Sequence, residues 1–159
     1  STPKPSSAAS DVYKRQDYTL TIYGEGALRK DYEMQIQELG LGGSVKLPGF
    51  ASNLPEEINK AAMYISTSNH EGISNSMLEA LGMGIPTIVT DCPVGGSKMF
   101  VHTGDNGVLI QMENKNDLVS AMTLIATNSR YVKHISNNAI KIREQLAAPN
   151  ICQKWLQLL

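Results

Sequence analysis

The stretch PTIVTD, residues 86–91, does most to limit what this chain can fold into. It is a nearly continuous apolar run of strand length, and it leaves no polar face for solvent. A run of that kind fits a parallel strand covered by helices on both sides, because an antiparallel strand with one wet face would alternate apolar and polar residues. Its neighbours along the chain keep changing period. YTLTIYG reads as a β-branched, aromatic strand stopped by Gly24, and ALRKDYEMQIQEL then sets Leu28, Tyr32, Ile36 and Leu39 at helical spacing. Gly40, Gly42 and Gly43 end that helix. SVKLPGF is a brief strand, and Asn53 can cap the helix LPEEINKA, with Pro55 in its first turn and Glu56 and Glu57 near its positive end.

Beyond this point AMYISTS is a strand, followed by a loop and helix that lead into PTIVTD. GVLIQ is a further short strand after the turn-forming Gly104, Asp105, Asn106 and Gly107. Asn116-Asp117 starts the helix LVSAMTLIAT, Ser129 caps a helix from about Arg130 to Leu146, Pro149 breaks it, and ICQKWLQLL forms a terminal amphipathic helix. Strand and helix alternating at this spacing predict an α/β layered domain with a mostly parallel sheet. Sheets of that kind bind ligands at the carboxyl ends of their strands. The loops that matter are then Gly24 to Gly26, Gly49 to Ser52, Asn69 to Ser76, and Cys92 to Gly96.

Composition narrows the function class. The chain has 159 residues, 42% of them hydrophobic, and a formal net charge of −1, so it can bury a core but has no basic footprint for nucleic acid. No apolar run approaches the roughly 20 residues of a spanning helix, and the start has no signal-peptide pattern. Cys92 and Cys152 lack metal-ligand spacing and read as free thiols of a reducing compartment. Residues 1–16, STPKPSSAASDVYKRQ, are rich in Ser, Ala and Pro without periodicity. They are expected to be disordered or loosely extended, and SSAASDVYKRQ looks like translated adapter read-through.

The chemistry concentrates in EGISNSMLEALGMGIPTIV, from Glu71 to Val89. Were both acids on one helix, Glu71 and Glu79 would be separated by about 12 Å of rise, beyond the roughly 5–9.5 Å of a glycosidase pair. The spacing suits two contacts on one elongated ligand. Ser76-x-x-Glu79 also matches a capping box, and Glu71 reads equally as a solvated loop acid. Ser74-Asn75-Ser76 opens a helix, whose exposed N–H groups favour phosphate or hydroxyl oxygens unless Ser74 or Ser76 caps it. Gly24-x-Gly26 is a poor dinucleotide fingerprint, and reads better as a tight turn that lets helix pack on strand. Cys92 has no evident base in His70 or His102, which argues against a nucleophile.

Together these residues resemble the carboxyl-terminal, donor-binding half of retaining GT-B glycosyltransferases of the group 1 type. The motif that carries the likeness is Glu71-Gly72-Ile73-Ser74-Asn75-Ser76-Met77-Leu78-Glu79-Ala80, an E-x7-E element continued by Gly82, Gly84, Pro86 and the strand to Asp91. LTIYGEG, VKLPGF and GDNGVLI before Asn116-Asp117 support it, so that it covers residues 17–159, with 146–159 as a terminal helix. The resemblance implies a Rossmann-like three-layer domain lacking its first β-α unit, and a substrate that is a UDP- or GDP-linked hexose. It implies that Glu71 is catalytic and faces the hexose, that Gly72, Ile73, Ser74, Asn75 and Ser76 hold sugar hydroxyls and diphosphate, and that Glu79 binds the ribose. Phe50, Ala51 and Ser52 would lie near the base.

The resemblance also implies no metal and no cofactor, and an acceptor that is a glycan or lipid-linked, met through an amino-terminal domain missing here. A cytoplasmic setting with peripheral membrane association follows from the same likeness. Two departures stand out. The family's basic pair for the diphosphate has no counterpart, since Lys14 and Arg15 fall in the tail, and Lys98 occupies a position where many relatives carry an acid. The expected role is therefore the donor-binding portion of a transferase for bacterial surface polysaccharide, inactive alone. The alternatives are a non-catalytic nucleotide-sugar-binding module, a GT-B enzyme of another reaction such as an epimerase, and, least, a nicotinamide-binding domain.

Overall fold

The computed structural model describes residues 18–158, and the expectations for residues 1–16 lie outside them. The chain divides between Leu54 and Pro55 into two compact units. In the first, β1 (Leu20–Tyr23) and β2 (Val45–Gly49) pair in parallel, connected through helix α1 (Arg29–Glu38). Leu20 lies beside Val45 and Thr21 beside Lys46, and the register shifts before Tyr23 meets Gly49. The apolar positions expected to bury α1 do recur at helical spacing, yet Leu28, Tyr32 and Leu39 are exposed and no residue of the helix is buried. Arg29 ties this unit together at its surface. Its guanidinium donates to Glu25, to Glu33 and to the Leu47 carbonyl, at 2.7 to 2.8 Å.

The second unit contains helix α2 (Leu54–Asn59) from Pro55 onward, β3 (Tyr64–Ser66), α3 (Asn75–Met83), β4 (Thr87–Thr90), α4 (Gly96–Phe100) and β5 (Val108–Ile110). Four helices follow: α5 (Lys115–Thr127), α6 (Ser129–Ala139), α7 (Ile142–Gln145) and α8 (Ala148–Leu156). The three strands form a parallel sheet in the order β3-β4-β5, with Ile65, Ile88 and Val108 side by side and Ser66, Val89 and Leu109 in the next row. All four residues of β4 are buried, as the apolar run PTIVTD requires of a central strand.

Side chains alternate across a strand, so Ile88 and Val89 face opposite ways and seed separate cores. Val89 packs with Met77 and Leu81 of α3, Val101, Ala139 and Ile142. Ile88 packs with Val108, Ile110, Ala121 and Ile125 of α5, and Ile135 of α6. Helices therefore cover both faces of the β3-β4-β5 sheet, which is the layered α/β arrangement the sequence predicts. Gly84 caps the end of α3 at φ 74°, a left-handed conformation natural to glycine, and a side chain there would meet Ile140 Cγ2 at 2.9 Å.

Several helix limits differ from the sequence reading, each for a local reason. Asn114 rather than Asn116 caps α5, accepting from the N–H groups of Asn116 and Asp117 at 3.1 Å. Asn128 rather than Ser129 caps α6, accepting from Tyr131 N–H at 2.9 Å. The single helix expected to Leu146 stops at Ala139 and resumes as the short α7. Pro149 sits in the first turn of α8 and starts that helix, where its missing N–H would have no intrahelical partner. Among the described residues no helix is long and apolar enough to cross a membrane.

Candidate functional site

The carboxyl ends of β3, β4 and β5 are on one edge of a parallel sheet, and the three loops that leave them meet there. The β3–α3 loop, from Thr67 to Ser74, carries Glu71. Its anchors come from the end of β4 and from the other two loops. Thr90 Oγ1 donates to the Ser68 carbonyl at 2.5 Å, and the Cys92 thiol donates to the Glu71 carbonyl at 3.6 Å. Asn69 Nδ2 donates to Glu113 Oε1 at 3.3 Å from the β5–α5 side. Glu113 holds a φ of 56°, an uncommon conformation for a residue with a side chain, which costs on the order of 1 kcal/mol and persists only where the surroundings enforce it.

Glu71 is half-buried, and one of its carboxylate oxygens accepts from Ser68 Oγ at 3.3 Å. That bond orients the carboxylate and leaves it able to accept further hydrogen bonds from hydroxyl groups. The helix that follows starts at Asn75, so Glu71 is on the loop and only Glu79 is helical. Ser74 is the cap. Its backbone is extended, and its hydroxyl accepts from Met77 N–H at 3.4 Å. Ser76 does something else, since its hydroxyl bonds to Tyr64 Oη at 2.8 Å and to Ser74 Oγ at 3.1 Å.

The capping-box reading of Ser76-x-x-Glu79 is therefore corrected. With Ser74 as cap, the third helical position belongs to Met77, and Glu79 is two residues too late to reach back to the cap's N–H. Glu79 is exposed on α3, opposite the buried Met77, Ala80 and Leu81. Among the described residues its carboxylate has no hydrogen-bond or ion-pair partner, and no acceptor meets the N–H groups of Asn75 and Ser76. The site edge thus offers a held carboxylate, a second free one, and two unengaged helix N–H donors.

Glu71, Gly72, Ile73, Ser74, Asn75 and Ser76 follow one another on the β3–α3 loop and the first turn of α3, and Glu79 is further along that helix, all within the second unit. Phe50, Ala51 and Ser52 follow β2 in the first unit, where Phe50 is 80% exposed. Gly24 turns the chain after β1, its N–H donating to the Gly49 carbonyl at 2.8 Å. A side chain at Gly24 or Gly26 would meet nothing within 4 Å, so close packing of helix on strand does not explain these glycines. Lys98 Nζ lies 3.5 Å from Asp91 Oδ1, so Lys98 pairs with the last residue of PTIVTD. Among the described residues no group of three His, Cys, Asp or Glu side chains could hold a metal ion.

Sequence reasoning missed Thr90 and Glu113 as parts of this edge, whereas Gly96 ends a loop it had singled out. A polar Thr ending an apolar strand was a usable signal for the first. The conformation of Glu113 left no trace in its residue type. Cys92 proves to be buried, 1% exposed, with its thiol turned toward the loop backbone.

Comparison with known proteins places this geometry in a family. The sequence model described as "Glycosyl transferases group 1" matches residues 6–142. The poly(glycerol-phosphate) alpha-glucosyltransferase of Bacillus subtilis (strain 168) is 31% identical over 136 residues, covering 86% of this chain and 20% of that protein. The poly(ribitol-phosphate) alpha-N-acetylglucosaminyltransferase of Staphylococcus aureus (strain COL) is 29% identical, covering 92% of this chain and 30% of that protein. Among solved structures, a TarM variant of S. aureus in complex with Fondaparinux, alpha-GlcNAc-glycerol and UDP superposes with a TM-score of 0.81 at 27% identity, over 93% of this chain and 30% of that chain. The C-terminal domain of the group 1 protein LpcC from Francisella tularensis shares the fold, with a TM-score of 0.75 at 19% identity over 86% of this chain and 73% of that one. The chain thus spans about a fifth to a third of the two curated relatives, and it belongs to the group 1 glycosyl transferases, with the α/β fold of their GT-B carboxyl-terminal domains.

Proposed function

We propose that this chain is the donor-binding portion of a retaining glycosyltransferase that moves a hexose from a nucleotide sugar to a glycan or lipid-linked acceptor. The observation that carries the reading is the clamped β3–α3 loop, which presents the Glu71 carboxylate beside the unengaged start of α3. Glu71 accepts hydrogen bonds from hydroxyls of the donor hexose and stabilises positive charge as it develops at the anomeric carbon. The N–H groups of Asn75 and Ser76 meet diphosphate oxygens at the positive end of the helix. Glu79, further along α3, takes the ribose hydroxyls. No metal is required in this scheme.

A uridine donor is the better supported of the two candidates, because the TarM variant at 27% identity was solved with UDP. Relatives named for poly(glycerol-phosphate), poly(ribitol-phosphate) and diphospho-undecaprenol substrates support a role in bacterial surface glycans. The setting that follows is the cytoplasm, at the inner face of the membrane. Calorimetry with UDP- and GDP-sugars on the full-length gene product tests the reading. Glu79→Ala is expected to weaken donor binding about tenfold, and Glu71→Gln to lower turnover about a hundredfold with donor affinity retained. Absence of binding to either class of nucleotide sugar overturns it.

A further inference from the structure

Gly96 opens α4 and is buried, with Gly95 before it at φ 76°. A β-carbon on Gly96 would overlap the carbonyl carbon and oxygen of Gly72 and stand 3.0 Å from the amide nitrogen of Ile73. Those are backbone atoms, so no side-chain rotation can relieve the clash. The Gly72–Ile73 peptide therefore rests directly on the backbone of α4. Two other residues of the same strand-loop-helix unit hold the same loop. Thr90, 3% exposed, donates to the Ser68 carbonyl, and Cys92, 1% exposed, donates to the Glu71 carbonyl. Positions 90, 92 and 96 thus grip positions 68, 71 and 72.

We propose that Gly96, together with Thr90 and Cys92, forms a positioning clamp that sets the Glu71 carboxylate against the donor hexose. None of the three touches the reacting atoms. They act through the loop, and the proposal rests on the reading of that loop as the donor site. Any side chain at position 96 must push the Gly72–Ile73 peptide outward, and displacement of a catalytic group by about 1 Å can lower turnover about a hundredfold. Thr90 contributes through its hydroxyl alone, since the rest of its side chain fills a buried strand position that valine would fill equally.

The test is steady-state kinetics with a UDP-sugar on the full-length gene product, alongside hydrogen exchange of residues 68–76. Gly96→Ala is expected to lower kcat about a hundredfold with the same split between kcat and donor KM as Glu71→Gln, and to speed exchange in the loop. In a Glu71→Gln background the further loss should shrink to a few-fold, because two groups acting as one unit are not additive. Should Gly96→Ala fail to fold, Thr90→Val serves, with about tenfold lower kcat expected, while Thr90→Ser, which keeps the donor, restores turnover to within about threefold of the parent. Folded Gly96→Ala or Thr90→Val protein with the parent's kcat and loop exchange overturns the clamp, as does full additivity with Glu71→Gln. A Glu71→Gln protein that turns over like the parent removes the site reading and the clamp with it. An impaired Glu71→Gln protein beside an unaffected Gly96→Ala protein overturns the clamp alone.

Discussion

The two units of this chain are written in similar residues and differ in what becomes of them. YTLTIYG in the first unit and PTIVTD in the second are both β-branched strands with parallel partners. Yet Leu20 and Ile22 of β1 are 42% and 44% exposed, whereas Ile88 and Val89 of β4 are 0% and 1% exposed. Every buried hydrophobic side chain among the described residues lies between Ile58 and Ile142. The difference teaches that strand character and burial are separate properties. A third strand and helices on both faces turn β4 into a core, and within its own unit β1 has one strand and one helix. The clamped loop belongs to the buried unit, where the elements that hold Glu71 are themselves held.

The comparison can be broken most directly in the cores. Leu81→Ala should destabilise the second unit by about 2–5 kcal/mol, read as a lower urea midpoint, because it leaves a cavity beside Met77 and Val89. Leu28→Ala or Leu39→Ala in the first unit should change stability by less than about 0.5 kcal/mol, since both side chains stand mostly in water. Equal effects in the two units would dissolve the distinction. Gly84→Ala comes next. Its left-handed backbone and the nearness of Ile140 predict a loss of about 1–3 kcal/mol in the same measurement.

A finer test separates stability from binding at α3. Ser74→Ala removes the cap and should cost about 1 kcal/mol, measured as a lower Tm. Glu79→Ala should leave Tm nearly unchanged and act on donor affinity, and a Tm loss as large as that of Ser74→Ala would revive the capping-box reading. Hydrogen exchange sharpens the contrast without mutation. Amides of β4 are expected to exchange only through large-scale unfolding, and those of β1 through local opening at a faster rate.

Much of the architecture was legible because local rules agree with the fold. PTIVTD predicts a doubly covered strand, and Ser74-Asn75-Ser76 marks the start of α3. Helix starts were read less well, since neighbouring Asn and Ser residues compete for one cap. Asn114 and Asn128 prevailed over candidates one or two residues later because their side chains reach N–H groups two or three positions on. At the site, the E-x7-E spacing marked the two acids, but the clamp around Glu71 was invisible, because it joins residues about twenty positions apart in sequence.

The sequence by itself determined the alternation of strand and helix, the parallel sheet and the family, because period, β-branching and turn residues act over short range. Only the tertiary structure decided which apolar faces are covered, that Ser74 and not Ser76 caps α3, and why position 96 holds a glycine. Those outcomes depend on which backbone segments approach one another, and at Gly96 the approach leaves room for a hydrogen and nothing larger.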